Sequence, residues 1–170
     1  MDNPMTVAQA LRHARHDFLN ELQLIGMKLD LGRTQDVKSI IRSHAEAAVQ
    51  LSRLSALKMP ATENWLLTAE WRFPEFRFRV ECAAEKGGTP DDAIFAEWLE
   101  QFFTTLKKRP EAHANSCRIS LEQQESIFTI ELKIEGNPQT VGLPEIPGLL
   151  ARERVAADNW KIIVSTQMEG

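Results

Sequence analysis

The hydrophobic period of this chain changes at Pro60, and that change limits its architecture more than any other feature. Before it, apolar residues recur every three or four positions: Leu11, Ala14, Phe18, Leu22, Ile25 and Leu29. That is the spacing of one face of an α-helix. Asn3–Pro4 suits an N-cap followed by a first helical residue. Gly32 suits a left-handed residue closing the helix. After "GRT" a second seam begins at Val37 and runs through Ile40, Ile41, His44, Ala47, Ala48, Leu51 and Leu54, with Thr34 or Asp36 as its cap. A short break between two long helices makes an antiparallel hairpin. Met59–Pro60 closes it, because the residue before a proline avoids the helical region.

Beyond Pro60 the pattern alternates. In "FRFRVEC", Phe76, Phe78, Val80 and Cys82 face one way and Arg77, Arg79 and Glu81 the other, as in a half-buried strand. The two arginines read as solvated charge. "PDDAIFAEWLEQFFTTLKKR" is a helix, acidic at its start and basic at its end, as the helix dipole favours. "CRISLEQ" and "IFTIELKIEG" are strands joined at the polar "QQES". "GLLARERVAAD" is expected to be a helix, "NWKIIVSTQ" a last strand, and "NPQTVGLPEIPG" a connection. The order strand, helix, strand, strand, helix, strand implies a sheet with helices on one face. The expected fold class is therefore α+β: a helical hairpin over residues 1–59 and a small α/β sandwich over 60–170.

A hairpin alone leaves much of each seam facing water. A second copy would complete a four-helix bundle, so a homodimer is expected, with Ala45, Ala47 and Ala48 allowing close approach. The alternative is that the hairpin packs on its own C-terminal half.

The 170 residues are 43% hydrophobic, enough for a real core, and the net charge is −4. An acidic balance disfavours generic nucleic-acid binding. No apolar run approaches the roughly 20 residues of a membrane span, and the N-terminus lacks a signal-peptide pattern. A cytoplasmic protein with no membrane or nucleic-acid partner is expected. Cys82 and Cys117, without a C-x-x-C pair, read as buried and reduced.

Two of the four histidines, His13 and His16, stand on the first helix. At about 100° per residue the apolar seam clusters within roughly 80°, and His16 lies about 150° from its centre. It projects outward, with Arg12 and Asn20 one turn away and Leu19 and Gln23 at +3 and +7. Neutral imidazole is a good nitrogen nucleophile, so an outward histidine can carry phosphate. Phosphoryl transfer asks chiefly for in-line placement and charge neutralisation, which Arg12 or Arg15 could supply. Spacing alone does not separate this from an ordinary solvated histidine. His13 also lies off the seam, His44 falls within the second seam as a core or bundle residue, and His113 reads as a loop residue.

The stretch "ARHDFLNELQLI" adds context. It resembles the phosphoacceptor segment R-H-D-aromatic-x-N-x-L-Q of the sporulation initiation phosphotransferase B family and of related citrate/fumarate-type sensor kinases. Arg15, His16, Asp17, Phe18, Asn20, Leu22 and Gln23 match. "SRLSALKMP" is similar to the end of that family's second helix, and "LLTAEWR" to its entry into the C-terminal domain. The resemblance implies a dimeric four-helix bundle with one active histidine, His16, per protomer. It implies phosphate taken from the aspartate of one response regulator and passed to another in sporulation control, with Mg²⁺ supplied by the receiver and no cofactor held by this chain. Arg12, Arg15, Asp17, Leu19, Asn20, Gln23 and Met27 would support His16 or touch the receiver. The C-terminal domain would resemble a degenerate histidine-kinase ATPase domain. The helix "AEWLEQFFTTLKKR" has no asparagine for Mg-ATP, and neither D-x-G-x-G nor G-x-x-x-x-G-K-[ST] occurs. Two other readings stand beside this one: a sensor kinase core that phosphorylates itself from ATP, and a non-catalytic dimer that docks response regulators.

Overall fold

In a computed structural model of the protein, residues 5–85, 92–109, 115–136 and 140–167 are described. The chain divides into two compact units, Met1–Val49 and Gln50–Gly170.

The first unit holds helix α1 (Val7–Asp30) and most of α2 (Thr34–Ala56). The expected start at Asn3–Pro4 lies outside the described residues. The helix begins instead behind Thr6, whose hydroxyl accepts from the Gln9 N–H while the Gln9 side chain accepts from the Thr6 N–H. This reciprocal cap satisfies two donors that the first turn would leave open. Gly32 has the expected left-handed backbone, φ +69. The Gly32 N–H reaches the Leu29 carbonyl and the Arg33 N–H the Lys28 carbonyl, the paired closure that a left-handed residue permits. Two cross-helix contacts fix the antiparallel sense: Lys28 Nζ to Asp36 at 2.9 Å, and Glu21 to His44 Nε2 at 3.1 Å. His44 is therefore exposed and paired with Glu21, and is not buried in the seam of a single chain.

The second unit is a five-stranded sheet with two helices on one face. Its elements are α3 (Pro60–Arg72), β1 (Phe76–Cys82), α4 (Asp92–Leu106), β2 (Asn115–Gln124), β3 (Ile127–Glu135), β4 (Leu150–Val155) and β5 (Asn159–Gln167). The strand order is β1-β2-β3-β5-β4. β1 and β2 are parallel, joined by the crossover through α4, and the other pairs are antiparallel. Residues Glu125 and Ser126 make the β2–β3 turn, at the place "QQES" predicts.

One element goes unannounced and one expectation fails. α3 is a helix that periodicity does not announce, because its buried face, Thr62, Trp65, Leu66 and Ala69, includes a polar residue, while apolar Leu67 is exposed on the opposite side. "GLLARERVAAD" holds strand β4, not a helix. Its Ala, Arg, Glu and Leu favour helix intrinsically, but Leu150–Val155 pairs along β5, and the sheet decides.

One alternating set of strand residues, including Phe76, Ile119, Leu132, Trp160 and Ile162, joins Phe95, Trp98, Phe102 and Phe103 of α4 in a single core. α4 rests ring on ring against β1, β3 and β5: Phe103–Phe76, Phe95–Phe128 and Phe102–Trp160. Asp92, expected to serve its own helix dipole, caps the neighbouring helix. Its carboxylate accepts from the Ala61 and Thr62 N–H groups at 2.5 and 2.9 Å. Gln50 and Arg53 bond the backbone N–H and carbonyl of Cys82 at the end of β1.

Candidate functional site

All the candidate residues stand on α1, and one short arc of it forms a cluster. His16 is on the exposed face, its side chain 73% accessible. Helical geometry brings the residue four ahead onto the same face, and the Asn20 amide nitrogen lies 3.1 Å from His16 Nδ1. The Asp17 carboxylate lies 3.6 Å from the same Nδ1, although it starts about 100° around the helix. Rotation of the two short side chains closes that angle. Arg12, Arg15, Leu19, Gln23 and Met27 are exposed along the same helix, and no described contact joins them to the ring. The geometry thus separates a local trio, His16, Asn20 and Asp17, from a surrounding exposed stripe. His13 is exposed and outside the trio, and His113 lies outside the described residues.

The trio acts on one ring nitrogen. With the Asn20 amide nitrogen facing Nδ1, that nitrogen accepts a hydrogen bond and the ring proton sits on Nε2. Turning the isosteric amide presents its oxygen instead, so that Nδ1–H donates to Asn20 and faces the Asp17 carboxylate. In that tautomer the Nε2 lone pair is free and points to solvent. A carboxylate beside Nδ1 also favours the charge an imidazole ring gains when Nε2 forms a bond. That tautomer leaves one ring nitrogen held and the other open.

Other reactive groups are poorly placed for chemistry. Cys82 and Cys117 are free and buried. Burial pushes both thiols up from their ordinary range, which keeps them protonated and unreactive. Among the described residues no group of three His, Cys, Asp or Glu is placed to hold a metal ion.

Residues 1–57 match the family described as "Sensor_kinase_SpoOB-type, alpha-helical domain". The helical hairpin is SpoOB-like. The match spans the trio and the whole of α1 and α2, as the "ARHDFLNELQLI" segment implies, and leaves the sheet-bearing half outside it. No curated protein matches the chain closely enough to count as a relative. Among solved structures, the histidine kinase AdeS of Acinetobacter baumannii is similar at 13% identity and a TM-score of 0.49, over 91% of this chain and 98% of that one. A bacterial phosphotransferase is similar at 16% identity and 0.42, over 95% and 98%. The histidine kinase ThkA, in complex with the response regulator protein TrrA, is similar at 10% identity and 0.49, over 95% of this chain and 61% of that one. The SpoOB-like hairpin and the α+β class agree with what the sequence implies. No described helix is long and apolar enough to cross a membrane.

Proposed function

We propose that the protein is a phosphorelay histidine phosphotransferase, with His16 as the transient carrier between two response-regulator aspartates. The observation that carries this reading is the exposed imidazole whose Nδ1 is engaged by Asn20 and Asp17, leaving Nε2 open to a large partner. Nε2 attacks the phosphorus of an aspartyl phosphate. A nitrogen–phosphorus bond forms, the phosphorus–oxygen bond breaks, and the receiver's carboxylate leaves. With the Asn20 amide turned so that its oxygen faces the ring, Nδ1 keeps its proton throughout, held by that oxygen and the Asp17 carboxylate. Attack by a second receiver's aspartate reverses the step. A phosphoryl group needs charge neutralisation in transit. Arg12 and Arg15 supply part of it, and a Mg²⁺ ion held by the receiver the rest. Leu19, Gln23 and Met27 would contact the receiver beside the ring. The service to sporulation and the cytoplasmic location belong to this same reading.

A homodimer completes it. α1 buries no residue in the single chain, and Leu11, Phe18, Leu22 and Leu29 of its seam are exposed. A continuous apolar stripe of this kind marks an interaction surface, and two hairpins packed seam to seam make a four-helix bundle.

ATP-driven self-phosphorylation fits less well. The β3–β4 connection lays Val141 and Ile146 into the core beside α4, and Trp98 Nε1 donates to the Pro144 carbonyl at 3.0 Å. A nucleotide on that helix would have to displace these contacts. The test is transfer from a phosphorylated single-domain receiver. Wild type should take an acid-labile, base-stable label, and His16→Ala should take none while keeping its helical content. Label on His16→Ala would sink the assignment. Label on wild type from Mg-ATP with no receiver present would favour a kinase instead.

A further inference from the structure

We propose that the sheet face turned away from α3 and α4 binds an acidic helix of a partner protein along a row of five basic side chains. Strand register builds the row. Arg79 is opposite Arg118, Arg118 opposite Lys133, Lys133 opposite Lys161, and Lys161 opposite Arg154. One base from every strand therefore stands in line across the whole sheet. Directly opposed residues share a face and approach closely, so like charges in this position destabilise a sheet. A row that runs uninterrupted through all five strands keeps four such oppositions, which folding gains nothing by keeping.

The neighbouring carboxylates offset the row only in part. Glu81 lies 3.4 Å from Arg79 and 3.7 Å from Arg118. Glu135 lies 3.4 Å from Lys133, and Glu131 lies 2.8 Å from Lys161. Three carboxylates thus serve four bases, and Arg154, on the edge strand, is exposed with no described carboxylate partner. Arg77 and Arg152 widen the same face. Its positive surplus stands out on a chain of net charge −4, and the solvated-charge reading of Arg77 and Arg79 covers only one of the five strands.

Spacing selects the occupant. Adjacent strands are about 4.8 Å apart, so the row spans roughly 19 Å. Carboxylates three and four residues apart on a helix stand about 5–6 Å apart, and about 13 helical residues cover the same length. A helix laid across the strands brings four carboxylates, at i, i+4, i+7 and i+11, over the row of five bases. The face fits other polyanions less well. It carries no aromatic side chain on which single-stranded bases would stack. Its interleaved carboxylates repel a dense phosphate backbone. Ile163 and Leu150, beside Arg152 and Ser165 in the next rows, give the apolar contact of a protein interface.

Fluorescence anisotropy on the full chain tests this with two labelled Ala-rich helical peptides of identical composition. One carries its glutamates in a single i, i+4, i+7, i+11 row, and the other disperses them around the helix. At low salt the row peptide should bind about tenfold tighter than its isomer, and binding should weaken at about 0.15 M salt. Arg118→Gln with Lys161→Gln should lose about tenfold in affinity, with an unchanged far-ultraviolet spectrum and melting temperature no lower than wild type. Arg118→Glu with Lys161→Glu should abolish binding. Equal affinity for the two peptides overturns the proposal, as does full binding by the glutamine variant. Tighter binding of an oligothymidylate than of the row peptide, or of phosphatidylserine vesicles, assigns the face to a nucleic acid or a membrane and overturns it too. So does an absence of peptide binding at low salt.

Discussion

α1 and α4 are both amphipathic helices, and they meet opposite fates in the single chain. α4 buries Phe95, Trp98, Leu99, Phe102, Phe103 and Leu106 against its own sheet, whereas α1 buries nothing although Leu11, Phe18, Leu22 and Leu29 line one side of it. Amphipathicity therefore states that a helix needs a partner, not where the partner is. For α4 the partner is the rest of its unit. For α1 no such cover lies within its own hairpin.

The contrast can be broken most sharply at α4. Phe102→Ala should cost about 3–5 kcal/mol, because the ring is fully enclosed and its loss leaves a cavity between Trp98, Phe103 and Trp160. A urea or thermal melt followed by tryptophan fluorescence reads it. A loss below about 1 kcal/mol would mean that α4 is no more committed than α1. The matching change on α1, Phe18→Ala with Leu22→Ala, should leave that melt unmoved. It should instead weaken self-association, by about 1.5–3 kcal/mol for each side chain that the second copy buries. Sedimentation across a concentration series measures this, and a wild-type monomer at micromolar concentration removes the dimer altogether.

The smallest effect sharpens the contrast at the hairpin end. Asp36 accepts a hydrogen bond from Lys28 and lies beside Arg33, and these hold its carboxyl below its ordinary 3.8 against a smaller opposing effect of desolvation. A carboxyl depressed on folding contributes stability that is present above its unfolded value and fades as pH falls through the folded one. Asp36→Asn should therefore flatten the acid limb of helicity below about pH 4 and leave the melting of the sheet unit alone. An acid limb of unchanged steepness would show that the Lys28–Asp36 contact does not hold the hairpin.

Where one physical rule acts alone, the residues announce the structure. The seam of α1, the left-handed Gly32 and the alternation of β1, β2, β3 and β5 are local patterns, and each is found where its pattern falls. β4 and α3 are not local. Leu150–Val155 is helix-prone by composition and becomes a strand only because β5 lies beside it. α3 hides its stripe because a threonine, Thr62, sits on the buried face and Leu67 is exposed on the other. At the candidate site, His16 and Asn20 follow from helical spacing and the resemblance. The approach of Asp17 to the same nitrogen depends on side-chain rotation, which a wheel of Cα directions does not describe. The basic row is wholly invisible along the chain, since its members lie on five strands and meet only through register.

The trio at His16 spans five consecutive residues of one helix. Sites assembled from distant strands and loops fail when any one of them shifts. This one exists wherever a turn and a half of α1 exists, so its geometry is inherited as a word rather than as a sentence. A transplant of residues 12–27 into an unrelated stable helix should carry the ring, its amide and its carboxylate along in the same geometry. If the proposed function holds, what such a graft would lack is the surrounding surface that tells one receiver from another.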